Sequence, residues 1–169
     1  MFGNCIKCFG TKSFDICISC ANWPVLKNEK GEKIKNVIKE IYNSTDNENI
    51  QLFDNKNYIE STYLDIIKNE TIDNKEINPP LDNYLFGSRG EHEVIFYLNL
   101  DNCDSLAFMF SYTINLISIS LINFDDHHVT NLQLMFVDCF PLISVDFSNF
   151  NVENVENMEG LFISCYSLK

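Results

Sequence analysis

Apolar residues in the last third of the chain fall in a pattern that returns. Val129, Leu132, Met135, Phe136, Cys139 and Leu142 recur as Val155, Met158, Leu161, Phe162, Cys165 and Leu168, a shift of 26 residues. The same interval upstream sets Met109 and Phe110 under Met135 and Phe136, Leu116 under Leu142, and Ile119, Leu121 and Phe124 under Val145, Phe147 and Phe150. A weaker copy aligns Ile95, Leu98, Cys103 and Leu106 with Leu121, Phe124, Val129 and Leu132. Self-similarity at a fixed period of roughly 20 to 50 residues marks a stacked array. Two shorter periods coexist inside each copy. The alternation in Ile119-Ser120-Leu121 and Val145-Asp146-Phe147 predicts short strands, one side chain inward and the next outward. The three- and four-residue spacing of Val129, Leu132, Met135 and Phe136 predicts helical turns on the opposite wall. With about eight inward apolar side chains at roughly 1.5–3 kcal/mol each, one copy folds only when neighbours cover both its faces.

The spacing C-x-x-L-x-x-(I/V)-x-(L/F), seen at Cys139, Leu142, Val145 and Phe147, is leucine-rich-repeat grammar. The run through Phe150, Val155, Met158, Leu161, Phe162, Cys165 and Leu168 is similar to the BspA-like leucine-rich repeat family, surface proteins of bacteria, mycoplasmas and protists. The resemblance covers residues 93–169. It implies an extracellular or cell-surface protein, adhesive or host-interacting, with a protein or glycan ligand and no catalytic residues. Two departures stand out: Thr113 replaces the Cys of the earliest copy, and His127-His128 stand where the later copy has Glu153-Asn154. The expected fold class is α+β, a leucine-rich-repeat-type solenoid of short strands plus helical turns, preceded by a small β-rich domain and a short cysteine-rich module.

Residues 1–23 form that module. Cys5-x-x-Cys8 and Cys17-x-x-Cys20 lie in a stretch with almost no core, so a cross-link has to hold it. Disulfides admit three pairings, of which Cys5 with Cys17 and Cys8 with Cys20 suits small secreted modules. Alternatively the four thiolates hold one zinc, although the gap between the motifs is shorter than in common zinc ribbons. The stretch resembles the cysteine-rich repeats of protist surface proteins, with Ala21-Asn22-Trp23 where Gly-Tyr is usual. Residues 24–32 read as a linker. Residues 33–92 alternate apolar and polar positions between Asn- and Asp-rich turns, and predict a sandwich-like β domain that caps the first repeat. Within it, Ile34 to Tyr42 with Ile50 to Leu52, and Tyr84 to Phe86 with Val94 to Leu98, read as two hairpins. Asn43 and Asn69 begin glycosylation sequons.

Charge narrows the functions. The net charge is −12, and between Arg89 and Lys169 eleven Asp and Glu stand with no Lys or Arg. Binding to a phosphate backbone needs those cations, so nucleic acid is disfavoured. No run reaches the roughly 18 apolar residues that span a bilayer, so no membrane insertion is expected within this segment. A signal peptide pattern is missing after Met1, and Leu168-Lys169 halts where another strand is due, which suggests a fragment truncated at the C-terminus.

No nucleophile, acid and base pair or phosphate loop is placed by spacing, and His92 has no triad partners, so no enzyme and no cofactor is expected apart from the alternative zinc. Asp125-Asp126 beside His127-His128 reads as a solvated loop, since adjacent residues seldom converge on one ion. Cys139 and Cys165 read as small core residues. The expected binding face is the outward side of the repeat strands, Ser118, Ser120 and Ile122 with Ser144, Asp146 and Ser148. The functional expectation is a non-enzymatic surface recognition protein; the alternative is a cytoplasmic, zinc-stabilised adaptor binding a protein partner.

Overall fold

A computed structural model describes residues 35–54, 63–124, 128–148 and 150–169, together with the backbone of two N-terminal strands. The strands are β1 (Ile6–Thr11), β2 (Phe14–Ser19), β3 (Val37–Ser44), β4 (Glu48–Gln51), β5 (Ile67–Ile72), β6 (Lys75–Ile77), β7 (Asn83–Phe86), β8 (Gly90–Leu98), β9 (Leu116–Ile122) and β10 (Ser144–Asp146). A 3-10 turn, Tyr63–Asp65, is the one helical element among the described residues. β1 and β2 form an antiparallel ribbon with Cys8 opposite Cys17. Six strands form a mixed sheet in the order β10-β9-β3-β8-β5-β6, and β4 pairs with β7 separately.

The architecture is therefore almost all β, and the expected α+β solenoid with helical turns is corrected. The reason lies in the backbone between the short strands. Phe108 and Tyr112, Leu134 and Asp138, and Gly160 and Ser164 all have positive φ, at the same two places in three successive coils. A left-handed residue cannot continue a right-handed helix. Each coil instead makes consecutive tight turns, with Met135 N–H donating to Leu132 O, Val137 to Leu134 O and Cys139 to Phe136 O. The N–H groups in between leave the coil altogether. Leu132 donates to Asn157 O, Leu134 to Glu159 O, Phe136 to Leu161 O and Asp138 to Ile163 O, at 2.8 to 3.1 Å. Leu106, Phe108, Phe110 and Tyr112 donate in the same way to Asn131, Gln133, Met135 and Val137. Tight turns with a three-residue closure place apolar side chains three and four apart, which is why the spacing looked helical.

Side chains follow the backbone from coil to coil. The rings of Phe110, Phe136 and Phe162 stack at 5.7 and 5.5 Å, within 8° and 4° of parallel. On the other wall β9 and β10 run parallel, with Val145 beside Ile119 and Asp146 beside Ser120. Cys139 Sγ donates to Phe110 O and Cys165 Sγ to Phe136 O, each at 3.0 Å, so the thiol ties its coil to the one before. Thr113, in the same slot of the first coil, has no earlier coil to reach and donates to its own Phe110 O at 2.6 Å.

The two expected hairpins do not form. β3 lies in the middle of the large sheet, paired along its length with β8 from Val37 opposite Tyr97 to Ser44 opposite Gly90, and with β9 on its other edge. An eight-residue strand with Ile38, Glu40, Tyr42 and Ser44 buried needs long partners on both edges, which the four-residue β4 cannot supply. The short strands β4 and β7 find each other instead. The expected boundary between residues 92 and 93 falls inside β8, and the sheet continues across it to β9 and β10.

The segment after β4 closes one edge of the coils. Ala107, Met109 and Ser111 carbonyls occupy the places that Gln133, Met135 and Val137 hold in the next coil, but among the described residues no coil precedes them. Tyr63 OH donates to Ala107 O, Asp54 N–H to Met109 O at 2.8 Å, and Gln51 Nε2 to Ser111 O at 3.2 Å. The Ser111 hydroxyl returns a bond to Asp54 Oδ2 at 2.8 Å. Phe96 and Tyr42 from the sheet and Phe53 from the segment after β4 share one buried cluster with Phe110, Phe136 and Leu142 from the coils.

Candidate functional site

Parallel pairing of β9 and β10 sets the expected strand face in register: Ser118 stands beside Ser144 and Ser120 beside Asp146. Ser118, Ser120 and Asp146 are half-buried, while Ser144 and Ser148 are exposed. Ile122 lies apart from them in character, because it is buried next to the fully buried Val37. The Ser148 N–H is held by Asp146 Oδ1 at 2.8 Å.

A second outward row was not anticipated. Ile114, Phe140 and Tyr166, 26 residues apart, follow the Thr113, Cys139 and Cys165 slot and are 60%, 44% and 82% exposed. The rings of Phe140 and Tyr166 stack at 5.9 Å and 13°. Tyr112 and Ile143 are exposed beside them. The signal was present in the chain as a large apolar residue recurring immediately after the Cys slot, but the strand alternation drew the reading to the other wall.

Buried ionisable groups gather on the inner face of the sheet. Glu40 on β3 and Glu70 on β5 flank β8, opposite Val94 and Phe96, and both are fully buried. Burial pushes Glu70 up to about 7, and burial, opposed by Tyr42 and reinforced by the charge of Glu70, pushes Glu40 well above the carboxylate range. Glu40 Oε2 lies 2.5 Å from Tyr42 OH, which is 2.6 Å from Leu52 O. A neutral Glu40 that donates to Tyr42, with Tyr42 donating to Leu52 O, satisfies both contacts. Glu70 Oε2 accepts from Leu81 N–H at 2.7 Å. This cluster braces the core and presents no atom to solvent. His92 is likewise engaged: Nδ1 faces Asp73 Oδ2 at 2.7 Å, Nε2 donates to Ser88 O at 3.0 Å, and the ring stacks on Phe86 at 4.2 Å.

Cys139 and Cys165 carry free thiols, and Cys103 Sγ donates to Ser105 O at 3.2 Å. Burial raises the Cys139 thiol to about 11 and the Cys165 thiol to about 12, so both stay protonated and inert as nucleophiles. Cys5 and Cys20 lie outside the described residues, and of Cys8 and Cys17 only the backbone is described, so the disulfide and zinc expectations fall outside as well. Asp125, Asp126 and His127 are outside too, while His128 is exposed. Among the described residues no group of three or more His, Cys, Asp or Glu could hold a metal, and no helix is long and apolar enough to cross a membrane. Asn43 is exposed at the end of β3; Asn69 is half-buried and accepts from Glu70 N–H at 2.9 Å.

Residues 83–169, from β7 through all three coils, match a family described as Mycoplasma protein of unknown function, DUF285. The chain belongs to this family. The DUF285 match takes in the stacked coils, both outward rows, and the strands β7 and β8 that lead into them. No curated protein and no solved structure matches the chain.

Proposed function

We propose that the protein is a non-enzymatic recognition module, part of a secreted or cell-surface protein, which binds a protein or glycan ligand on the outside of its stacked coils. The observation that carries this reading is the register. Every 26 residues the same slot reaches the surface, so side chains from separate coils stand side by side in extended rows. Such rows make a continuous contact surface of a kind that stacked repeats use for binding. The likeness of the coil sequence to BspA-like surface repeats supports the same reading, as does the engagement of His92, Glu40 and the thiols in the interior. A nucleic-acid backbone does not suit a region in which eleven acidic residues lie between Arg89 and Lys169 with no Lys or Arg among them.

Two measurements test it. The full chain is exposed to arrays of immobilised peptides and glycans, alongside a variant of the strand row (Ser118→Gln with Ser144→Gln) and one of the apolar row (Phe140→Ser with Tyr166→Ser). Binding that one of these variants removes supports the module; failure to bind any array member, or binding untouched by both variants, rejects it. Protease treatment of intact cells that express the chain reads its location: cleavage supports surface display, and full protection favours the cytoplasmic adaptor. Intact mass then separates the two cysteine chemistries, a deficit of about four hydrogens meaning two disulfides and one bound zinc meaning the adaptor.

A further inference from the structure

We propose that the row of Ile114, Phe140 and Tyr166, with Tyr112 and Ile143 beside it, is the docking surface for a basic, apolar-patterned segment of another protein. The proposal rests on the recognition reading above and narrows it to one surface and one class of ligand.

Local geometry throws this slot outward in every coil. Tyr112, Asp138 and Ser164 have φ of 58°, 60° and 63°, which reverses the chain. The residue after each, Thr113, Cys139 or Cys165, then points inward to a carbonyl. The next side chain can only leave the stack. A slot held outward by the backbone accepts Ser, Asn or Lys without loss, yet the three coils carry Ile, Phe and Tyr there. Single exposed apolar residues are ordinary, whereas a contiguous set in register marks an interaction site.

The chemistry of the row selects the ligand. Phe140 and Tyr166 stack at 5.9 Å and 13°, so that the two rings form one continuous apolar surface. With the aliphatic Ile114 and Ile143 also exposed, the row suits apolar side chains. Negative charge borders the row. Asp138 holds the Tyr112 slot immediately before Cys139 and Phe140. Glu48 accepts from Asn115 Nδ2 at 3.1 Å, next to Ile114, and is kept ionised first by the Thr45 N–H, then by the Thr45 hydroxyl and Asn115. Lys169 follows at the far end, its N–H on Ile143 O. Alternating cationic and apolar side chains complement this arrangement; an acidic segment does not.

The test uses fluorescence anisotropy with the full chain and three labelled probes: a peptide of alternating leucine and lysine, its leucine and glutamate counterpart, and a neutral oligosaccharide. The lysine peptide is expected to bind and the glutamate peptide not to. Phe140→Ser with Tyr166→Ser should weaken the lysine peptide by about tenfold or more, since central aromatic anchors carry most of a contact's affinity. Ser118→Gln with Ser144→Gln, on the other wall, should leave it unchanged. A melting curve checks that each variant folds, and Ile114→Ser replaces the double variant if that one does not. Unchanged affinity in the double variant, or equal binding of the glutamate peptide, overturns the proposal. Binding of the oligosaccharide alone, removed by the strand-row variant, overturns the proposal and leaves the recognition reading standing. Absence of binding by all three probes overturns both.

Discussion

The two edges of the coil stack differ in how their backbone groups are met. On the first coil, the carbonyls of Ala107, Met109 and Ser111 are answered by Tyr63, Asp54 and Gln51, three donors of unrelated kinds from a segment that does not repeat. On the third coil, the N–H groups of Met158, Gly160, Phe162 and Ser164 stand where Leu132, Leu134, Phe136 and Asp138 donate across to a neighbour, and they have no acceptor among the described residues. Burial changes with them. Leu132, Phe136 and Cys139 are fully or almost fully buried, while Met158 is 45% exposed and Phe162 and Cys165 are half-buried. Repetition supplies partners at no design cost, and an edge needs a segment of its own.

Breaking the comparison at its centre has the largest expected effect. Phe136 is fully buried between Phe110 and Phe162, so Phe136→Ala should cost about 3–5 kcal/mol, read by chemical denaturation. Phe162→Ala, with one ring neighbour fewer and only partial burial, should cost less, about half as much. Equal losses would mean that the third coil is as well covered as the second.

The sheet beside the closed edge gives the next effect, through pH. Glu70 is raised from 4.5 to about 7 by burial, so the folded state holds its proton more tightly than the unfolded chain. Its contribution is fully present below pH 4.5 and is lost as pH rises through about 7, a fall on the order of 3 kcal/mol. Glu40, raised for the same first reason, acts in the same direction. Glu70→Gln should flatten the dependence between those limits when unfolding is followed across pH. A steeper slope in the variant would overturn the assignment. The coil interior should contribute nothing in that window, because its thiols titrate only near 11 and 12.

Smaller changes sharpen the contrast. Tyr63→Phe removes the hydroxyl from Ala107 O and leaves a buried carbonyl unmet, for about 1–2 kcal/mol. Gly160→Ala forces a side chain onto a residue with φ of 66° and places Cβ 2.6 Å from Leu134 Cδ2, a strain of about 1–2 kcal/mol before the leucine gives way. The smallest effect is expected from Phe140→Ser, since the ring is already exposed, and a melting shift within experimental error would confirm its place outside the core.

Much of this organisation was legible in the residues, and the failures share a cause. The 26-residue interval, the short strands at Ile119 and Val145, and the inward Cys139 and Cys165 could be read from apolar spacing, because buried positions leave a direct mark on composition. Handedness of the backbone leaves a weaker one. Phe108, Leu134 and Tyr112 have positive φ although nothing in their side chains favours it, and only Gly160 and, more weakly, Asp138 hint at the requirement. Tight turns were consequently taken for helix. Strand partnership was misjudged for another reason: β3 prefers β8 and β9 over its neighbour β4 through length and long-range register, which local turn chemistry does not encode. The outward row at Ile114, Phe140 and Tyr166 was overlooked because an apolar residue in a repeat is first counted towards the core.

The alternation of N–H groups within the first two coils, one closing a turn and the next crossing to the following coil, bears on how the molecule responds to force. Tension applied to its two ends loads the crossing bonds of one interface as a zipper, one after another, whereas the bonds inside a turn break only once that coil has left the stack. Extension should therefore advance in steps of one coil, each releasing 26 residues and lengthening the tether by about 90 Å.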